Sequence, residues 1–155
     1  MKQKTERNAY KPRKPFKAIE GVGTRPWMRL SRNSVYVLNR FYAKFNGYNR
    51  DNLSLTYKEM NGKLSGRLFT AALWELMSFG FIDRVRSGRL EKECSIYRLS
   101  NRWRKFEDKE ETLNEIELRL GKIEELRRKK GSLEKRTEMN KLRNEALRVS
   151  GAKKT

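Results

Sequence analysis

The stretch LSGRLFTAALWELMSFGFI, residues 64–82, holds one amphipathic helix that runs through a glycine into a strand. Ser65 is a good N-cap, since its hydroxyl can accept a bond from a free backbone N–H of the first turn. From there Phe69, Ala72, Leu73 and Leu76 recur at i, i+3, i+4 and i+7, a single apolar stripe. At about 100° per residue the opposite stripe holds Arg67, Ala71, Trp74 and Ser78, with Thr70 at its edge. That second face is directed away from the core, and Trp74 is its odd member. Gly80 ends the helix in a conformation that only glycine adopts cheaply.

Working outward, Phe81–Arg86 and Cys94–Ser100 alternate as two strands around the Ser87-Gly88 turn, a hairpin. Upstream, Val35, Leu38, Phe41, Tyr42 and Phe45 lie at helical spacing, predicting a helix from about Asn33 to Asn46. Leu53-Ser54-Leu55 reads as a very short strand. Thr56 with Glu59 three residues on is a capping box that opens a helix of roughly six residues, which Asn61-Gly62 stops. The predicted order is helix, short strand, helix, turn, helix, hairpin. This is the order of a winged helix-turn-helix, in which the third helix enters the major groove and the hairpin wing lies on the adjacent backbone.

LSLTYKEM, LSGRLFTAALWEL with GFIDRVRSG, and SIYRLSNRWRKF resemble a family of small prokaryotic winged-helix proteins of mobile and phage-like DNA. The resemblance covers roughly Trp27 to Phe106. It implies a winged-helix DNA-binding fold; replication or transcription regulation of a mobile element is the biological role expected. The chain departs from related repressors and initiators at Ala71 and Trp74, where a basic or polar side chain is usual.

Charge agrees with such a partner. The 155 residues carry 38 Lys+Arg against 19 Asp+Glu, a formal net charge of +19. A surplus this large favours a polyanion, because basic side chains gain affinity by releasing the counterions condensed on nucleic acid. By segment the charge is about +6 over residues 1–25, +9 over 26–104, −4 over 105–126 and +8 over 127–155. Residues 1–25 read as a flexible basic arm carrying Lys11, Arg13, Lys14 and Lys17, serving as a solubilising tail or a nucleic-acid arm. Residues 26–104 read as the winged domain. Residues 105–155 read as a helical extension with an acidic first half and a basic second half that begins at Arg127, Arg128, Lys129 and Lys130. The fold class expected is mainly α with a small β wing.

The residues expected on nucleic acid are Lys63, Ser65, Arg67, Thr70 and Trp74 at the third helix, and Arg84, Arg86, Arg89 and Lys92 on the wing. Arg67 could bond a guanine edge or a phosphate, while the wing arginines suit phosphate. For Trp74 three roles are open: contact with a sugar or base, stacking on an unpaired base, or packing under another part of the chain or a second subunit. Packing is favoured, because the major groove rarely needs so large an apolar wedge. In the extension, Leu113, Ile116, Leu120 and Ile123 follow 3-4-3 spacing for about two heptads. Three outcomes are open there: a homodimer seam, a helical hairpin folding back at Gly131, or a helix lying on the winged domain.

Double-stranded DNA is the expected partner, with RNA or single-stranded DNA as further targets. Protein–protein assembly through Trp74 and the Leu113–Ile123 seam is the reading from another class. No apolar run approaches the roughly 20 residues that cross a bilayer, so a cytoplasmic protein with no membrane partner is expected. An enzyme is not expected: there is no histidine, Cys94 has no partner for a zinc site, and Gly62-Lys63 lacks the rest of a phosphate loop. Neither metal nor cofactor is expected.

Overall fold

The computed structural model describes residues 19–88, 93–128 and 133–151. In chain order its elements are helix α1 (Arg25–Met28), helix α2 (Arg32–Lys44), strand β1 (Leu53–Ser54), helix α3 (Tyr57–Met60) and helix α4 (Gly66–Ser78). Strands β2 (Ile82–Arg86) and β3 (Ile96–Leu99) follow, then a 3-10 helix at Arg102–Phe106, and helices α5 (Glu110–Arg128) and α6 (Leu133–Val149). The protein is mainly helical with one small antiparallel sheet of order β1-β3-β2.

Local chemistry sets the helix ends. The Ser31 hydroxyl accepts from Ser34 N and starts α2, and the Ser65 hydroxyl accepts from Leu68 N and starts α4. Thr56 and Glu59 form the full reciprocal capping box at α3. At the far end of α4, Phe81 N donates to Leu76 O (2.9 Å) and Gly80 N donates to Met77 O (3.3 Å). This double closure requires a left-handed residue, and Gly80 supplies it at φ +78°. A Cβ at Gly80 would also sit 2.8 Å from Trp103 N, so the glycine admits the next turn as well as ending the helix.

The sheet ties the first half of the chain to the hairpin. Leu53 pairs with Tyr97 and Ser54 with Ile96, while Ile82 pairs with Leu99, Asp83 with Arg98 and Arg84 with Tyr97. The register shifts between Arg84 and Arg86, a bulge-like irregularity in β2. Under the sheet, Phe41, Phe69, Leu76, Ile82 and Leu53 are fully buried where α2 and α4 cross.

Two boundaries read from composition differ in the structure. Residues 19–25, assigned to the flexible arm, are ordered against the core: Ile19 packs on it and Gly21 fits against Phe81 and Trp103. Thr24 then caps α1, a helix too short to leave a periodic signal. The extension over 105–155 is also not separate from the core, since Leu113, Ile116 and Leu147 join the same buried cluster as α2 and α4. The hairpin outcome describes it best: α5 and α6 pack on each other, and α6 returns along α4. Their connection, including Gly131, lies outside the described residues.

Arg102 fastens this return. Its guanidinium donates to Asp83 Oδ1 (2.9 Å from Nε), Met77 O (2.8 Å) and Ser150 O, joining β2, the end of α4 and the end of α6. One planar donor group thereby satisfies a carboxylate and two carbonyls.

Candidate nucleic-acid interface

The outer face of α4 divides into an open first turn and a covered second half. Lys63 is exposed on the α3–α4 turn, as are Ser65, Gly66 and Arg67. The Ser65 hydroxyl is committed to its cap. Thr70 is committed too: its hydroxyl donates to Gly66 O (2.8 Å) and lies 2.8 Å from the Tyr57 hydroxyl. Arg67 retains 54% side-chain exposure, yet its Nη2 reaches Glu124 Oε1 on α5 at 3.2 Å.

Trp74 is half-buried and packs against the core, with Arg84 of β2 and Arg143 of α6 over its ring at 5.6 and 5.1 Å. It is thus a packing residue, covered by a part of the same chain. Four positions beyond it, Ser78 is buried. The second half of the face that the helical pattern left free is therefore a seam against α6, which explains an apolar ring where a DNA-reading helix would carry a polar side chain.

The acidic half of α5 has a definite partner. Glu110, Glu117 and Glu124 recur every seven residues and so follow one line along the helix. Glu110 pairs with Arg25 and Arg29, Glu117 with Arg29, and Glu124 with Arg67 and Arg127. The carboxylates face arginines of the chain itself and lie alongside α1 and the start of α4. Charge at the end of α5 turns positive, with Arg128 exposed and Arg127 only 10% exposed.

The residues expected in a dimer seam are occupied within one chain. Leu113 and Ile116 are fully buried, Ile123 is buried, and Leu120 packs on the core. On the hairpin, Arg84 turns inward to Trp74 while Arg86 is exposed and paired with Glu93. Arg89 and Lys92 lie outside the described residues, as do Lys11, Arg13, Lys14, Lys17, Lys129 and Lys130.

Electrostatics sharpen two positions. Burial first, and then the neighbouring charge of Arg127, lowers the pKa of Arg143 to about 10. The hydrogen bond from Lys44, followed by those from Thr56, holds the Glu59 carboxyl at about 2. Sequence reasoning missed Arg143 and Arg102, because neither stands in a motif. The seven-residue spacing of Glu110, Glu117 and Glu124 in so basic a chain was the available signal that α5 lies on arginines.

Among the described residues, no group of His, Cys, Asp and Glu could hold a metal ion, and no helix is long and apolar enough to cross a membrane. What the arrangement offers chemically is a surface of guanidinium and ammonium groups at one end of α4, suited to bonding anionic oxygens. A comparison with known protein families, curated proteins and solved structures found no match.

Proposed function

We propose that this protein is a winged helix-turn-helix nucleic-acid-binding protein, acting on duplex DNA in replication or transcription regulation of a mobile element, without catalytic activity. The observation that carries the reading is the pairing of β1, the two-residue strand between α2 and α3, onto β3 of the hairpin that follows α4. A helix, short strand, helix, turn, helix and hairpin closed in this way is the winged-helix plan. The formal charge of +19 supplies the affinity.

The docking surface differs from a fully exposed recognition helix. With its second half under α6, α4 offers its first turn, with Lys63 and Arg67 exposed; Lys58 of α3, Arg86 of β2 and Arg128 at the end of α5 are further exposed cations. Contacts of this kind bond phosphates more readily than base edges, so affinity exceeds sequence selectivity. Assembly through Trp74 and the Leu113–Ile123 seam is less favoured, because α6 and the core already occupy those side chains.

Salt-titrated binding to duplex DNA, beside single-stranded DNA, RNA and acidic lipid vesicles, tests the reading. If about six phosphates are neutralised, affinity for the duplex falls on the order of 10³-fold between 50 and 200 mM salt. Weak duplex binding at low salt, or equal affinity for the vesicles, rejects it.

A further inference from the structure

Trp74 collects more positive charge than the described carboxylates neutralise. The guanidinium groups of Arg84 and Arg143 both lie over its ring, and the Nε of each is buried with no hydrogen-bond partner. A guanidinium laid on an indole face keeps its N–H edge directed sideways, where it can still bond an oxygen. The charge of Arg127, on α5, also acts on Arg143. Among the described residues, Glu124 bonds Arg127 at 3.3 Å and is shared with Arg67, while Arg143 Nη1 has Asn140 Oδ1 at 3.5 Å, at the limit of a hydrogen bond. No ion pair serves Arg84 or Arg143 there. Like charges brought together in a half-buried place repel, and the repulsion is relieved by an anion with several acceptor oxygens.

We propose that Arg84 and Arg143, both laid over Trp74 where α4, β2 and α6 meet, form a phosphate-binding site. Two guanidiniums brought to one ring from different elements suit a tetrahedral group with oxygens on several sides better than a planar carboxylate, which one arginine fork satisfies. The phosphate has two chemical sources: a backbone phosphate of a nucleic-acid strand, or the pyrophosphate of a free nucleotide. Only the first rests on the nucleic-acid reading given above. In that case the covered half of α4 also contributes to binding, through the arginines that cover it.

The full chain is titrated with inorganic pyrophosphate and, separately, with a single-stranded and a duplex oligonucleotide. Intrinsic tryptophan fluorescence and thermal melting are followed. Pyrophosphate is expected to change the fluorescence of the wild type, and the change should vanish in Trp74→Phe, which retains Trp27 and Trp103. It should also raise the melting temperature progressively, as a ligand of the folded state does. Arg143→Gln on α6 and Arg84→Gln on β2 should each abolish the melting shift, and Arg143→Lys should restore part of it. For a backbone phosphate, Arg143→Gln should also weaken oligonucleotide binding about tenfold and reduce the salt slope by about 0.9. A pyrophosphate response without competition from either oligonucleotide assigns the site to a free nucleotide and leaves it standing even if nucleic-acid binding fails. No melting shift in the wild type, or an equal shift in both glutamine variants, overturns the site, whatever the chain does with DNA.

Discussion

Glu124→Gln should strengthen nucleic-acid binding while weakening the fold. The carboxylate holds Arg67 at 3.2 Å and Arg127 at 3.3 Å, so a backbone phosphate that approaches either guanidinium must first displace it. The Arg67–Glu124 pair, exposed to water, contributes about 0.2–1 kcal/mol, so releasing it returns about that much to binding. That range corresponds to roughly a 1.4- to 5-fold gain in affinity. If the freed arginine takes one phosphate, the slope of log affinity against log salt steepens by about 0.9. Stability moves the other way, because Arg127 then faces Arg143 without an intervening negative charge. Fluorescence anisotropy with a labelled duplex between 50 and 200 mM salt, run beside thermal melting, measures both effects. Unchanged or weaker binding in a variant that still folds would refute the view that Glu124 occupies the place of a phosphate.

Ile116→Ala, which empties a fully buried position of the shared core, should cost about 2–5 kcal/mol in urea unfolding. Sedimentation of the wild type should give a monomer mass across the concentration range, and a dimer lost in this variant would return the α5 seam to a second chain. Arg102→Gln removes a charged donor from Asp83, which keeps Arg98 at 3.4 Å, and from the Met77 and Ser150 carbonyls, so it should destabilise the fold by about 1–3 kcal/mol and alter Trp74 fluorescence as α6 loosens. Unaltered melting would show that α6 is held by other contacts. The Glu59 carboxyl, lowered from 4.5 to about 2 in the folded state, stabilises the protein fully above about pH 4.5, and the contribution is lost as pH falls toward 2. Because the Lys44–Glu59 pair is one-third exposed, screening limits it to about 1 kcal/mol or less, and Glu59→Gln should flatten the acid limb of stability by that amount.

Much of the fold is legible in local chemistry. The Ser65 cap, the Thr56–Glu59 box and the Gly80 stop all act within a few residues of themselves, and the structure places each as its side chain requires. The strands are found within about a residue or two for the same reason, an ordinary scatter for element ends. The candidate site was less legible. Helical spacing shows that Trp74 lies off the core stripe, but not what meets it there, because that depends on a helix some 70 residues later in the chain. Two features hid α6: its apolar side chains are sparse, and it is held by Arg102, whose three partners are far apart in sequence. Even so, the 3-4-3 pattern of Leu113, Ile116, Leu120 and Ile123 identified a buried stripe correctly. What it could not specify is whether the covering surface belongs to the same molecule.

The late arrival of α6 gives the newly made chain a history of its own. During synthesis α4 emerges well before the helix that covers it, and at roughly 5–20 residues per second about 3–14 s pass between Ser78 and Leu147. Throughout that interval Trp74 and its neighbours lie bare on a ribosome, an assembly rich in RNA. The nascent polypeptide is then a strongly cationic segment with an uncovered aromatic ring, held beside RNA before α6 has been made. Closure of α6 ends that exposure by an event of translation, with no need for a ligand or a second protein.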